Sequence, residues 1–276
     1  MKITAIFRAY KLKFIFTLFL LLLEAGIAIL FPLFIGYAID DALNESHVGA
    51  IQLGVLGLAA LIVGVIRRVF DSRFYAQVYQ NIGSRIITKM EAGKASVKTA
   101  RLGMIRELVE FLENALPELI GNVIGLFGVM SIIATLNLHI FYGSIVATVI
   151  IFFIYRISSG RTLRLNKSSN DEFEKQVDII AENDPLNLKL HLEEMMKWNI
   201  KLSDLEAGNF SLSWVVLIGL LVMSITIAVG EGIANYGALF ALIMYVFQYM
   251  ENVVNLPFFY QNWLRLQEIK ERLDQI

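Results

Sequence analysis

The sequence has no cysteine and only four prolines. Without cysteine the chain can form neither a disulfide nor a thiolate-bound zinc or iron–sulfur site. Its three histidines, His47, His139 and His191, fall in separate predicted segments, and there is no H-E-x-x-H motif. We therefore predict no metal site, no bound cofactor and no catalytic residue in this chain.

The chain also lacks an excess of positive charge, since 24 Lys and Arg stand against 25 Asp and Glu. Nucleic-acid partners normally require a basic face, so we exclude that class of partner. Apolar residues, in contrast, are abundant: they make up 57% of the sequence, and the mean hydropathy is +0.62. This composition predicts an integral membrane protein embedded in a lipid bilayer.

Six apolar runs reach the ~20 residues that a helix needs to cross a bilayer. They lie near 14–39, 50–70, 115–136, 138–157, 212–230 and 236–258. The first run is too long for the ~7–15-residue core of a signal peptide, so we read it as a retained span. We predict an all-α membrane protein with six transmembrane helices that form a single domain over 1–276.

The basic residues of the chain are confined to alternate connections. All 24 lie in 1–13, 67–106, 156–201 and 265–272, whereas IDDALNESHVG, TLNLHI and AVGEGIANY contain none. The positive-inside rule then places both termini in the cytoplasm. A bacterial cytoplasmic (inner) membrane is the expected location.

The two long inner connections read as helix rather than as loop. In 67–93 the residues Val69, Phe70, Phe74, Val78, Ile82 and Ile86 recur at a spacing of three to four. This period is typical of an amphipathic helix, and a continuous helix from 50 to 92 would be ~63 Å long. We therefore predict long cytoplasmic helical extensions, closed by short connectors near 96–103 and 182–189.

This arrangement resembles the transmembrane domain of ABC exporters. The likeness is carried by FPLFIGYAIDDAL (31–43), ARLGMIRELVEFLENALPELI (100–120), SDLEA (203–207) and WLRLQEIKERLD (263–274). The resemblance implies that the two connectors are coupling helices that press on ATP-binding domains, and that two six-helix units pair as a homo- or heterodimer. The candidate coupling residues are Thr99, Arg101, Asn183, Pro185 and Asn187.

No G-x-x-x-x-G-K-[ST] loop and no LSGGQ string occurs in the sequence. We therefore expect a non-enzymatic transmembrane subunit of an ABC-type transporter, with ATP bound only by a separate partner subunit. Two alternatives stay open. One is a stand-alone, proton-coupled transporter with the same fold, as in a bacterial peptide-uptake family, and the other is a membrane anchor or regulatory partner that transports nothing.

Polar residues on the sixth span are candidates for the translocation pathway. Tyr245, Gln248, Asn252, Asn255, Phe259 and Asn262 recur at a spacing of three to four, with Glu251 beside them. Amides facing lipid are costly, so this stripe should face a cavity or another helix. Hydrogen bonding between helices is the alternative role.

The first span contains one carboxylate, Glu24, in an otherwise apolar run. Counting ~1.5 Å per residue from Phe14 puts it ~15 Å into a ~30 Å hydrocarbon core. A charged side chain at that depth should face the bundle or a wet cavity rather than lipid. Glu24 is therefore either a buried hydrogen-bonding group or a pathway residue linked to protons or substrate.

Overall fold

The structure is a computed structural model that describes residues 10–89, 95–182, 184–231 and 235–274. Every regular element in these ranges is helical. The elements are α1 Lys11–Leu43, α2 Val48–Lys89, α3 Ala95–Glu110, a π-helical turn Phe111–Ala115, α4 Leu116–Leu136, α5 Leu138–Glu174, α6 Gln176–Glu182, α7 Pro185–Gly230 and α8 Tyr236–Asp274.

Six of the described helical segments are long and apolar enough to cross a membrane. This confirms the prediction of six apolar helices, and α2 also continues as one helix through the charged segment that follows its apolar run. Residues 1–138 with 227–276 form one compact unit, and residues 139–226 form a second. The first unit contains α1 to α4 and α8.

In the first unit, α1 and α2 form an antiparallel hairpin. Polar contacts join the two helices at five levels, and the residue numbers fall along α2 as they rise along α1. The pairs are Tyr10 with Asn81, Lys13 with Gln77, Thr17 with Asp71, Glu24 with Arg67, and Asp41 with Gly49. This register determines which charged residues of the two helices meet.

Acidic residues at the turn end of the hairpin cap neighbouring helices. Asp40 Oδ1 accepts a hydrogen bond from the Gly237 N–H at the start of α8, at 2.8 Å. Asp41 Oδ2 accepts one from the Gly49 N–H at the start of α2, at 2.6 Å. Carboxylates satisfy the free N–H groups of a helix N-terminus and favour its positive dipole end. The acids of this connection therefore hold three helices together.

The far end of the hairpin has an apolar core. Phe74, Val78 and Ile82 of α2 are at most 5% exposed and pack with Ile105 and Leu108 of α3. The predicted apolar face of the α2 extension is thus buried at these three positions. Val69, in contrast, is 46% exposed, and the side chain of Ile86 lies outside the described residues.

The second unit is a hairpin of α5 and α7. Asn209 Nδ2 donates to Ser158 Oγ at 2.8 Å, and His191 Nδ1 lies 2.9 Å from Glu172 Oε1. Asp184 Oδ1 accepts the Leu186 N–H at 2.9 Å, and α7 begins at Pro185. An N-cap aspartate followed by proline at the first helical position is a favoured helix start.

Candidate functional site

Glu24 forms an ion pair with Arg67 of α2. Arg67 Nη1 also lies 3.4 Å from Asp71 Oδ2, and Asp71 Oδ1 accepts a hydrogen bond from Thr17 Oγ1 at 2.8 Å. Thr17 and Asp71 are buried, whereas the Arg67 and Glu24 side chains are 23% and 36% exposed. Charges within apolar helices require such partners, because removing them from water is costly.

The hairpin register also bears on the depth of Glu24. Glu24 and Arg67 each lie about 29 Å along their helices from the connecting turn, at 1.5 Å per residue. That distance is close to the ~30 Å thickness of the hydrocarbon core. Counting from the turn puts Glu24 toward the far end of a ~30 Å span, whereas counting from Phe14 puts it near the midplane, and its depth in the bilayer remains a prediction.

An open cavity of about 1130 Å³ adjoins this network, with walls from α1, α2, the π-helical turn and α4. Four carboxylates and three guanidinium groups line it: Glu24, Asp71, Glu113, Glu118, Arg67, Arg68 and Arg73. Ionisable groups in spanning helices typically mark a wet, functional cavity. This cavity is the candidate functional site, and Glu24 faces it.

A π-helical turn forms one wall of the cavity. It spans Phe111–Ala115, and its residues Glu113 and Asn114 line the cavity. Pro117, just beyond the turn, has no N–H to donate to the Glu113 carbonyl, which favours a local departure from α-helical bonding. Single π turns are frequent at functional sites, because they redirect side chains within a helix.

Two residues of the α8 stripe bond the backbone of α1. Tyr245 Oη donates to the Ile29 carbonyl at 2.9 Å, and Gln248 Nε2 donates to the Ala28 carbonyl at 3.4 Å. Pro32 lacks the N–H that would otherwise bond the Ala28 carbonyl, so Gln248 replaces the missing donor. Ala28 also lines the cavity, which puts Gln248 at its border.

The other stripe residues lie further along α8. Asn252 meets α4, where its carbonyl accepts from Asn122 Nδ2 at 2.9 Å. Glu251 is exposed and Asn255 is half-buried. The side chains of Phe259 and Asn262 fall outside the described residues. The structure thus brings Glu24 and Gln248 close to one cavity, and a pathway role for the whole set remains a prediction.

A family profile described as the ABC transporter transmembrane region matches residues 3–259. The match covers most of the 276 residues. The chain belongs to this family. It is an integral membrane protein with the transmembrane fold of ABC transporters, and no ATP-hydrolysing domain is seen within its 276 residues. A comparison with curated proteins found no match.

In this ABC transmembrane region, the first predicted connector lies within a helix. Residues 96–103 belong to α3, which begins at Ala95. Thr99 is exposed, whereas the side chain of Arg101 is not among those described. The expected coupling role of both residues remains a prediction.

The second predicted connector joins α6 to α7. It contains Asn183, which lies outside the described residues, and the exposed residues Pro185 and Asn187. Asn187 Nδ2 lies 3.4 Å from Glu182 Oε2, across the break between the two helices. Around this break, five large apolar side chains are each at least 55% exposed: Phe173, Val177, Ile180, Leu186 and Leu190. We call them the connector surface.

Sequence reasoning missed the partners of Glu24. The sequence predictions include Arg67 only as one of the basic residues of 67–106, and they single out neither Asp71 nor Thr17. A usable signal existed, because Glu24 and Arg67 lie equally far from the α1–α2 turn. In an antiparallel hairpin, two residues that are equally far from the turn lie side by side. Opposite charges at two such positions therefore indicate an ion pair.

Proposed function

We propose that this chain is the transmembrane subunit of an ABC-type transporter and is driven by an ATP-hydrolysing subunit on a separate polypeptide. The connector surface carries this proposal. Its five exposed apolar residues lie between 171 and 190, a segment that also holds six acidic and two basic residues. So much charge argues against burial in lipid, whereas an exposed apolar patch rimmed by polar groups is typical of a protein interface.

The chemistry of the connector surface indicates its partner. An apolar patch with an acidic rim is complementary to an apolar groove with a basic rim. The patch lies where the helices of the second unit turn back, which is the predicted cytoplasmic end. A docked ATPase would there move α5 and α7 together, since both helices supply residues to the surface.

The charged cavity is the proposed part of the substrate pathway in this subunit. It opens at the level of Arg67, where α2 passes from its apolar run into its charged segment. With four carboxylates and three arginines, it suits a polar substrate better than an apolar one. We further propose that two six-helix units, identical or different, pair to enclose a complete pathway.

A docking measurement tests the ATPase partnership. We would search the neighbouring genes for an ATP-binding polypeptide, co-express it with the chain and measure their affinity in detergent. Val177→Asp places a charge on the connector surface, where Val177 is 75% exposed. Loss of one apolar interface contact should weaken binding about ten-fold.

Leu163→Asp is the matched control, because Leu163 is 72% exposed on α5 but lies outside the connector surface. It should leave the affinity unchanged. Equal weakening by both variants, or no binding by the wild-type chain, would contradict the proposed partnership. A stable complex with an unrelated membrane protein, without transport, would instead favour the anchor function.

The cavity itself favours a second candidate function, that of a stand-alone, proton-coupled transporter. Glu24, Asp71 and Glu113 line one open cavity within spanning helices. Carboxylates so placed are the groups that proton relays use in membrane transporters. Arg67 sits beside two of them, so substrate binding would have to displace it before either took up a proton.

Reconstituted vesicles distinguish the two functions. Under an imposed pH gradient and without nucleotide, a proton-coupled transporter should acidify the lumen when a mixed-peptide hydrolysate is added. Glu24→Gln keeps the shape but loses the charge, so it should abolish this flux, while Glu174→Gln on exposed α5 should not. Proton flux by the wild-type chain alone would contradict the ATP-driven function. Unchanged flux in Glu24→Gln would exclude Glu24 as the proton carrier.

A further inference from the structure

A second opening, of about 420 Å³, runs along the α1–α2 hairpin. Most of its lining is apolar and comes from Ile66, Val69, Phe70 and Phe74 of α2. Ile66 is 47% exposed and Val69 is 46% exposed. These side chains form a shallow hydrophobic groove that is open along the side of the hairpin.

Two cationic side chains lie at one end of the groove. Lys13 Nζ is 5.8 Å from the Phe74 ring centroid and donates to Gln77 Oε1. Arg73 Nη1 donates to the Val69 carbonyl at 3.2 Å. Among the described residues, neither cation is paired with a carboxylate. Both therefore keep their charge for an outside partner.

The groove is polarised along the hairpin. Its apolar residues begin at Ile66, on the side nearer the α1–α2 turn, and its cations lie further from the turn. At ~1.5 Å per residue from the turn, Ile66 lies about 27 Å along α2, inside a ~30 Å hydrocarbon core, whereas Val69 and Phe70 lie at its border, about 32 and 33 Å along the helix. Arg73 lies about 37 Å along α2, and Lys13 lies about 45 Å along α1. The apolar wall therefore begins at acyl-chain depth, and both cations lie on the headgroup side of it.

We propose that this groove binds an anionic phospholipid. The phosphate pairs with Lys13 and Arg73, and an acyl chain lies along Ile66, Val69 and Phe70. Basic pockets between transmembrane helices on the cytoplasmic side are suited to anionic headgroups. Because the groove is mostly apolar, the acyl chain contributes to binding, which separates a lipid from free phosphate. The inference holds whichever energy source drives the chain.

Lipid retention by the purified full-length chain tests the proposal. Native mass spectrometry would compare dioleoyl phosphatidylglycerol with dioleoyl phosphatidylcholine, which has the same chains but no net charge. The wild-type chain should retain the anionic lipid preferentially. The double variant Lys13→Gln/Arg73→Gln should lose roughly thirty-fold in affinity for it, at the usual contribution of each cation near a lipid surface.

Two further variants separate a lipid site from a general charge effect. Arg156→Gln/Lys167→Gln removes two exposed cations of α5 and should leave retention unchanged. Ile66→Trp fills the groove from an exposed position and should weaken retention although both cations remain. Melting temperatures in detergent without lipid should match the wild-type value for every variant.

Four results would overturn the proposal. Three of them are equal retention of the two lipids by the wild-type chain, equal loss in the α5 control, and competition by inorganic phosphate at the concentration of the lipid. The last result would show an anion site that makes no use of the groove. Unchanged retention in Ile66→Trp would likewise place the lipid elsewhere.

Discussion

Gly36→Val should destabilise the folded chain by roughly 3 kcal/mol, because the α1–α8 contact has no room for a side chain. A Cβ atom at Gly36 would lie 2.6 Å from the Gly237 carbonyl oxygen and 3.1 Å from Ala241 Cβ. A backbone carbonyl cannot rotate away as a side chain can, so the two helices must separate. Separation also breaks the bond between Asp40 and the Gly237 N–H. Unfolding by denaturing detergent in mixed micelles measures the loss.

Gly26→Val provides the control for this prediction in the same helix. A Cβ atom at Gly26 meets nothing within 4 Å, so the same change should cost little there. If both variants lose the same stability, glycine matters to α1 through its backbone and not through close packing. If neither loses stability, the α1–α8 contact described here is incorrect.

Arg67→Leu should destabilise the chain by about 2 kcal/mol, because it leaves Glu24 and Asp71 without their shared cation. The figure is below that for a fully buried pair, since the Arg67 and Glu24 side chains are 23% and 36% exposed. Its neighbour Arg68 also lines the cavity but forms no hydrogen bond or ion pair with any described residue. Arg68→Leu should therefore have little effect in the same unfolding assay.

The double variant Arg67→Leu/Glu24→Leu isolates the pair. Removing both charges together should restore part of the stability that Arg67→Leu loses, as in a double-mutant cycle. If the double variant instead lost as much stability as the two single variants added together, the two side chains would not interact. That result would contradict the α1–α2 register on which the cavity depends.

The six apolar helices were predictable from the sequence because they follow from local periodicity. The apolar run at 115–136 corresponds to α4, Leu116–Leu136, and the run that ends at 230 corresponds to the end of α7 at Gly230. Helices need only neighbouring residues to complete their hydrogen bonds, and an apolar stretch needs only its own length to cross a bilayer. The family resemblance followed from the same features and was confirmed.

The contacts of the α8 stripe were only partly predictable. The spacing of Tyr245, Gln248 and Asn252 indicates one polar face, but not which helix it meets. The structure directs the first two at the α1 backbone and Asn252 at α4. The need for Gln248 becomes clear only beside Pro32, whose missing N–H leaves a carbonyl on another helix without its donor.

The environment of Glu24 depends partly on the sequence and partly on the packing of the helices. The sequence by itself determined that a carboxylate lies within an apolar helix, that six such helices exist, and that their charged continuations remain helical. Only the tertiary structure decided that Glu24 pairs with Arg67 and faces a cavity shared with Asp71 and Glu113. The reason is physical: one helix specifies its own rise and periodicity, whereas the rotation and register between two helices depend on packing along their whole length.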